Sequence, residues 1–223
     1  MNRAKEISSR YPALCAFFCS AFFFLLLMLL LRIAPFGERT FLFEDMKRQY
    51  VAFFAHYREV FHSGENFLYS FRKGLGDGTI GFFAYYLTSP LLLPFAFLPP
   101  ESYPVAISIL LLVKLSLCAA TCCVFLKHLC RPEPGHPART AFLLLSSLTW
   151  SFSAYLISNL SNTMWLDAVI LMPLLYLSAE KLLQGASMWK HTLLVAAILC
   201  VNYYIAYMSL LFECIAVLVF LNR

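Results

Sequence analysis

The amino-acid sequence predicts an all-α protein: a polytopic transmembrane helix bundle of about five or six spans, whose long first outer loop carries interfacial helices. Composition is the first reason, since 61% of the 223 residues are hydrophobic and only 13% are charged. The mean hydropathy is +0.73. Soluble domains carry about 25% charged residues, so a soluble fold is excluded. The second reason is a series of apolar runs long enough to cross a bilayer.

The first apolar run covers residues 11–33 and is rich in Leu and Phe. About twenty such residues cross a bilayer as a helix. The run is too long for the core of a signal peptide and has no small-residue cleavage site, so we expect an uncleaved first span. Arg3, Lys5 and Arg10 precede it. Under the positive-inside rule they place the N-terminus in the cytoplasm.

A second apolar run, residues 80–98, is ambiguous. A crossing here would place Lys127 and Arg139 outside the cell, against the positive-inside rule. The run also contains Pro90 and Pro94, which break a helix unless protein or water satisfies the freed backbone groups. We therefore expect a re-entrant or interfacial segment rather than a span.

The first outer loop then extends from about residue 34 to residue 102. Within it, residues 49–61 alternate apolar and polar side chains at helical spacing, which is typical of a helix lying in the membrane interface. The glycine-rich linker 72–78 follows. A flexible turn is the simpler interpretation. A phosphate cradle of backbone N–H groups, assisted by Arg72 and Lys73, is the alternative.

The remaining spans come from residues 103–126, 140–158, 167–183 and 191–221. The last stretch has about thirty residues, too many for one untilted span. Because Asn202-Tyr203-Tyr204 interrupts it, we expect two short helices meeting there, with a single bent helix as the alternative. The whole chain, 1–223, is then a single membrane domain: a first span (11–33), an outer loop (34–102) and the remaining spans (103–221).

Asp45 is the first candidate for chemistry. It lies just past the first span beside Glu44, Lys47 and Arg48, at the predicted outer interface. A carboxylate there can serve as a general base or anchor for an acceptor hydroxyl, while basic neighbours bind a phosphate leaving group. From position alone, a solvated cluster of interfacial ions is the simpler interpretation.

Other polar residues interrupt the apolar spans. Asp167 begins a predicted helix, where it can cap that helix or line an outer cavity. Lys114 and Glu213 fall within spans, where charge faces the bundle interior or a water-filled cavity, and pairing with each other is one interpretation. Asn202 suits an interhelical hydrogen bond. The eight cysteines and five histidines lack zinc-ligand spacing, so we expect no metal site. Because the basic residues are scattered between spans, we expect no nucleic-acid partner.

Five short motifs occur in order between about residues 43 and 208. They are Asp45-Met46-Lys47-Arg48-Gln49-Tyr50, Gly74-Leu75-Gly76, Tyr85-Tyr86-Leu87-Thr88-Ser89-Pro90, Met164-Trp165-Leu166-Asp167 with Pro173, and Asn202-Tyr203-Tyr204-Ile205-Ala206-Tyr207-Met208. Each is weak alone, but the ordered set resembles the start of the bacterial YfhO family. The resemblance implies a multi-pass membrane protein related to the glycosyltransferase C superfamily. Such proteins are implicated in adding sugars from a polyprenyl-phosphate carrier to cell-wall polymers such as lipoteichoic acid.

The resemblance also implies roles for the candidate residues. Asp45 would be the catalytic base or the organiser of the site. The substrate-binding residues would be Arg48, Gln49, Tyr85, Tyr86, Trp165, Asp167 and Asn202. The donor would be a lipid-linked sugar in the membrane and the acceptor a wall polymer. It implies no certain cofactor and leaves a need for a divalent metal open. The protein would lie in the bacterial plasma membrane with its active face outside. Family members are several times longer, so we expect this chain to be the N-terminal part of a longer protein.

Two other functions compete with the transferase. A transporter or flippase of a lipid-linked envelope precursor would need the intramembrane charges Lys114 and Glu213 and would not need Asp45. A non-catalytic membrane subunit would tolerate substitution of any single polar residue. These three hypotheses therefore differ in which polar side chains they make essential.

Overall fold

The computed structural model describes residues 11–64, 66–130 and 137–221. In these ranges the α-helices are α1 Pro12–Leu30, α2 Val51–Ser63, α3 Ile80–Tyr86, α4 Tyr103–Leu129, α5 Pro137–Ser151, α6 Ala154–Ser158, α7 Thr163–Leu183, α8 Met188–Val201 and α9 Tyr203–Leu221. A π-helical turn, Met46–Tyr50, runs into α2, and 3₁₀ turns cover Pro90–Ala96 and Pro100–Ser102. The predicted all-α helix bundle is confirmed.

Three helical stretches of the described chain are long and apolar enough to cross a membrane: Pro12–Leu30, Pro100–Leu129 and Ala138–Ser158. The third stretch joins α5 to the short α6. Shorter apolar helices follow at Met188–Val201 and Tyr203–Val219. These lengths fit a membrane protein, because about twenty apolar residues span the hydrocarbon core.

Helices α1 and α4 pack against each other in opposite directions. Near the start of α1, Ala16 packs with Ala119 and Cys123 from the second half of α4. Near the end of α1, Met28 shares the main core with Ile107 from the first half of α4. Small residues at the contact allow the close approach that membrane helices use. Residues 31–102 therefore leave and re-enter the bundle at one end, which we call the Asp45 end.

The apolar segment 80–98 forms no spanning helix, as its prolines predicted. It consists of the short helix α3 and the 3₁₀ turn Pro90–Ala96, joined at Thr88-Ser89. Ser89 caps the 3₁₀ turn, because its Oγ accepts a hydrogen bond from the Leu91 N–H at 3.3 Å. The position of this segment relative to a bilayer stays a prediction. The predicted helix within residues 49–61 is present as the π turn and α2.

The glycine-rich linker forms the turn of a small hairpin that the all-α expectation did not include. Strands β1 (Tyr69–Ser70) and β2 (Asp77–Gly78) pair antiparallel, with Tyr69 opposite Gly78. Gly74 and Gly76 have φ angles of 62° and 114°, in the region that residues other than glycine rarely adopt. The linker therefore forms the turn of a hairpin, and its binding of phosphate stays a prediction.

The last apolar stretch is two helices, as predicted. Helix α8 ends at Val201, and Asn202 has an extended backbone, with φ −166° and ψ 101°. The Asn202 Oδ1 accepts a hydrogen bond from the Ile205 N–H at 2.9 Å and so caps the start of α9. The chain therefore reverses direction at the same end of the bundle as Asp45.

The membrane orientation of the chain stays a prediction. It was argued partly from Arg3, Lys5 and Arg10, which lie outside the described residues. Lys127 lies near the end of α4 that is remote from Tyr103 and the Asp45 end. Lys127 and His128 thus lie in the last turn of α4, at the end of the bundle opposite to Asp45.

Candidate functional site

Asp45 lies at the start of an irregular helical turn. Glu44, the residue before it, has a φ of 46°, which is an uncommon left-handed conformation for a residue other than glycine. The following residues, Met46–Tyr50, form the π-helical turn, a distortion found frequently at functional sites. Within this turn the Gln49 Nε2 donates to the Asp45 Oδ1 at 3.1 Å. The half-buried Asp45 carboxylate is thus oriented by a neighbouring amide.

The turn is anchored to the core by its apolar side. Met46 and Tyr50 are completely buried. The Tyr50 hydroxyl donates to the sulfur of Met164 in the first turn of α7. Backbone strain of this kind persists only where surrounding contacts impose it. The buried side chains therefore fix the conformation that orients Asp45.

Aromatic side chains form a wall beside this turn. The Tyr86 ring lies 5.7 Å from Tyr50 and 4.7 Å from Tyr85, measured between ring centroids. The indole Nε1 of Trp165 donates to the Tyr85 hydroxyl over 3.4 Å. Tyr203, at the start of α9, lies 5.4 Å from Tyr85. Three distant parts of the chain (α3, α7 and α9) thus contribute to one aromatic surface, the aromatic wall.

The phenol of Tyr86 is influenced by Asp45. Burial raises the pKa of Tyr86, and the Tyr85 phenol and the Asp45 carboxylate raise it further. Burial, followed by the Tyr86 and Tyr85 phenols and the Asp45 carboxylate, also raises the pKa of Tyr50. Both phenols therefore stay protonated at neutral pH and keep their hydroxyl donors. The wall presents neutral hydroxyl groups next to one carboxylate.

Asp167 is part of a buried polar network behind the wall. Its Oδ2 lies 2.6 Å from the Lys114 Nζ of α4, and its Oδ1 accepts from the Ser89 hydroxyl at 2.9 Å. The Lys114 Nζ also donates to the Thr163 carbonyl at 2.8 Å. Helix α7 begins at Thr163, one turn earlier than expected, so Asp167 lies inside the helix and not at its end. The helix-capping interpretation of Asp167 is therefore wrong.

The suggested pairing of Lys114 with Glu213 is also wrong. Lys114 pairs with Asp167, whereas the Glu213 Oε1 lies 3.3 Å from the His191 Nε2. The other ring nitrogen of His191 lies 3.0 Å from the Ser178 hydroxyl. A second polar link therefore joins α7, α8 and α9. Sequence reasoning missed it because no spacing rule relates these three residues.

The structure brings most of the predicted site residues to the Asp45 end. Gln49, Tyr85, Tyr86 and Trp165 are half-buried around Asp45 or along the wall, whereas Asp167 and Asn202 are buried. Arg48 differs, since it is exposed and makes no hydrogen bond or ion pair with a described residue. Within the described ranges, no group of three His, Cys, Asp or Glu side chains is arranged to bind a metal ion. The eight cysteines, all of them described, are free thiols.

A cavity of about 700 Å³ lies beside the aromatic wall. Tyr86 belongs to both, because its ring packs near Tyr50 of the Asp45 turn and also lines the cavity. Helix α2, the hairpin and α3 supply the remaining walls. Its volume lies within the range of small-molecule binding sites. Asp45 is not one of its lining residues.

A comparison of the sequence with protein families identifies its relatives. The family described as "Bacterial membrane protein YfhO" matches residues 16–222. The chain belongs to the YfhO family. No curated protein and no solved structure matches the chain. Family membership, together with the apolar helices, makes this YfhO chain a bacterial membrane protein.

The five motifs found in the sequence lie close together in this YfhO chain. The motif around Asp45 contacts the motif around Tyr85 through the Tyr50–Tyr86 ring pair, and the latter contacts Trp165. The motif that begins at Asn202 joins through Tyr203. The glycine motif lies in the hairpin beside the cavity. Residues far apart in sequence therefore form one continuous surface at the Asp45 end.

Proposed function

We propose that this chain is the catalytic membrane part of a glycosyltransferase, which moves a sugar from a polyprenyl-phosphate donor to a cell-wall polymer such as lipoteichoic acid. The proposal places the Asp45 end on the outer side of the bacterial plasma membrane. Its main support is the Asp45 carboxylate, oriented by Gln49 at 3.1 Å on a strained turn beside an aromatic wall. Strained backbone and an oriented carboxylate are features of catalytic sites.

In the proposed reaction, Asp45 accepts the proton of an acceptor hydroxyl. The hydroxyl oxygen attacks the anomeric carbon of the donor sugar and forms the new glycosidic bond. The bond between that carbon and the phosphate oxygen breaks, and polyprenyl phosphate leaves with its electron pair. Gln49 keeps the second Asp45 oxygen directed at the acceptor by occupying the first.

The leaving phosphate needs positive charge at the same surface. Lys47 and Arg48 are exposed on the Asp45 turn. Arg48 makes no contact with a described acidic side chain, so its guanidinium is available to a phosphate. We therefore assign Arg48 to the phosphate of the donor. Tyr85, Tyr86 and Trp165 are assigned to the sugar, because aromatic faces stack against the apolar faces of sugar rings.

The experiment is complementation of a strain that lacks the gene. Asp45→Asn keeps the size and hydrogen-bonding ability of the side chain but removes the base. We expect loss of sugar incorporation into the wall polymer, with normal amounts of protein in the membrane. Asp77→Asn, in the exposed hairpin, is the matched control and should complement. Normal glycosylation by Asp45→Asn would contradict the proposal.

A transporter of a lipid-linked precursor is the second candidate. The observation that favours it is the pair of buried polar links within the helices, Lys114–Asp167 and His191–Glu213. Buried intramembrane charges often mark transport pathways. The two functions differ in their response to Glu213→Gln, which should stop transport but should leave sugar transfer close to normal. Measuring both Asp45→Asn and Glu213→Gln therefore separates the candidates.

A further inference from the structure

The 700 Å³ cavity beside the aromatic wall has one apolar and aromatic side. Phe53 of α2 and Phe82 of α3 are packed edge to face, with ring centroids 4.5 Å apart. The Tyr86 ring continues this side, 4.8 Å from Phe53. All three side chains are half-buried, so each ring keeps a surface that a ligand can reach.

The cavity lining also includes charged side chains of both signs. Arg72 of the hairpin forms an ion pair with Glu59 of α2, and both line the cavity. Lys73, another lining residue, lies 2.6 Å from Asp77 and donates to the Gly78 carbonyl at 3.0 Å. Among the described residues, Arg72 is therefore paired with a carboxylate inside the lining, and Lys73 is paired with a carboxylate outside it.

This combination fits a ligand that is neutral, has an apolar face and carries many hydroxyl groups. A pyranose ring has C–H groups on its faces, which pack against aromatic rings, and hydroxyls at its edge. Glu59 can accept from such hydroxyls while Arg72 donates to them. We propose that the cavity binds a saccharide ring, stacked on Phe82 and Phe53, with its hydroxyls bonded to Glu59 and Arg72.

An anionic phosphate fits the same cavity less well. Its charge would meet the Glu59 carboxylate directly, and Arg72 is already paired with that carboxylate. A phosphate site needs an excess of donors and positive charge, as at clusters of arginine. The charges of the described lining residues therefore favour a neutral ligand over a phosphate in this cavity.

The inference rests on the proposed function for its biological meaning, because it assigns a sugar subsite next to the proposed base. Tyr86 connects the cavity with the proposed base, since its ring lines the cavity and the Asp45 carboxylate helps to raise the pKa of its phenol. Binding of a saccharide is nevertheless a property of the cavity alone. It can be measured without any transfer reaction.

The test uses the full chain in phosphatidylcholine nanodiscs and saturation-transfer NMR. The probes are the methyl pyranosides of glucose, galactose and N-acetylglucosamine, with empty nanodiscs as the blank. We expect saturation to reach the ring C–H protons of at least one pyranoside. Phe82→Leu, which keeps an apolar side chain but removes the aromatic face, should weaken its binding by about 3- to 10-fold. Phe71→Leu, an exposed hairpin ring outside the cavity, is the matched control.

A second arm tests the charge balance with inorganic phosphate and farnesyl phosphate. In the unmodified protein, we expect neither probe to show ³¹P line broadening that the cavity variant Phe82→Leu removes. Glu59→Gln makes the cavity lining more positive, so both phosphates should then bind. The inference would be overturned in favour of an anionic lipid by the following result: farnesyl phosphate binds the unmodified protein, Phe82→Leu abolishes that binding, and no pyranoside binds. Failure of every pyranoside to bind would also overturn it.

The two proposals fail in different ways. Asp45→Asn should keep the pyranoside affinity of the unmodified protein, because Asp45 does not line the cavity. If Asp45→Asn still transfers sugar while pyranosides bind the cavity, the proposed function is wrong and the saccharide site stands. If transfer depends on Asp45 but no pyranoside binds, the saccharide site is wrong and the proposed function stands.

Discussion

The ammonium nitrogen of Lys114 lies 2.6 Å from the Oδ2 of Asp167, and both side chains are almost completely removed from solvent. This ion pair joins α4 to α7 at the Asp45 end. The Ser89 hydroxyl, in the turn that follows Tyr85 and Tyr86 of α3, bonds to the other Asp167 oxygen. Because α3 and α7 supply most of the aromatic wall, we expect the pair to position the candidate site.

Removing one partner of this pair should be costly, since the other charge would stay buried. We expect Lys114→Met to lower the free energy of unfolding by about 3–5 kcal/mol. Lys114→Met combined with Asp167→Leu should recover much of the loss, because two apolar side chains can replace a buried pair. Reversible unfolding by SDS in bicelles measures both. A double variant as unstable as Lys114→Met would contradict this prediction.

The Trp165–Tyr85 hydrogen bond should couple two elements of the aromatic wall. Trp165→Phe and Tyr85→Phe each break the same bond, so the double variant should lose about 1 kcal/mol less than the sum of the single losses. Unfolding measurements give the coupling. Tyr176→Phe combined with Tyr85→Phe is the control, because Tyr176 bonds to the Ser209 carbonyl elsewhere. Equal coupling in both pairs would refute a specific link.

Asn202 should act mainly as the cap of α9. Asn202→Ala is expected to cost about 1 kcal/mol of stability, because the first turn of α9 loses an acceptor. Asn202→Ser keeps a side-chain oxygen and should restore most of this loss. The two variants are compared by unfolding under identical conditions. Equal losses for alanine and serine would show that the cap is not the stabilising interaction.

The topology can be tested by labelling cysteines placed at opposite ends of the protein. In a variant without the eight native cysteines, Leu75→Cys lies at the exposed hairpin tip and Leu129→Cys at the far end of α4. A membrane-impermeant maleimide should label Leu75→Cys in intact cells, and Leu129→Cys only after the membrane is opened. Labelling of Leu129→Cys from outside would reverse the proposed orientation.

Several features of the fold follow directly from local sequence. Apolar runs predict the helices because a bilayer requires about twenty such residues. Pro90 and Pro94 predict the break in the segment 80–98, and Asn202 predicts the break between α8 and α9. Asp45 and Gln49 are four residues apart, which predicts a contact within one helical turn. Each of these signals acts over a few residues.

The contacts that sequence reasoning missed are tertiary. The choice of Asp167 over Glu213 as the partner of Lys114 depends on the rotation of each helix about its axis, and a spacing rule does not supply that. One available signal was the position of each residue along its helix. Lys114 and Asp167 both lie in the half of their helices nearer the Asp45 end, so they are at similar levels in the bundle. The hairpin was missed because its strands have two residues each, too few for an alternating pattern.

The central claim is that Asp45 is the base in sugar transfer. The most direct measurement is the rate of transfer of a radiolabelled sugar from polyprenyl phosphate to wall polymer, in membranes that contain equal amounts of unmodified protein, Asp45→Asn or Asp77→Asn. A positioned general base contributes about 10²- to 10⁴-fold. We therefore expect the Asp45→Asn rate to fall by at least about 100-fold, with Asp77→Asn unchanged. An Asp45→Asn rate equal to that of the unmodified protein would contradict the assignment.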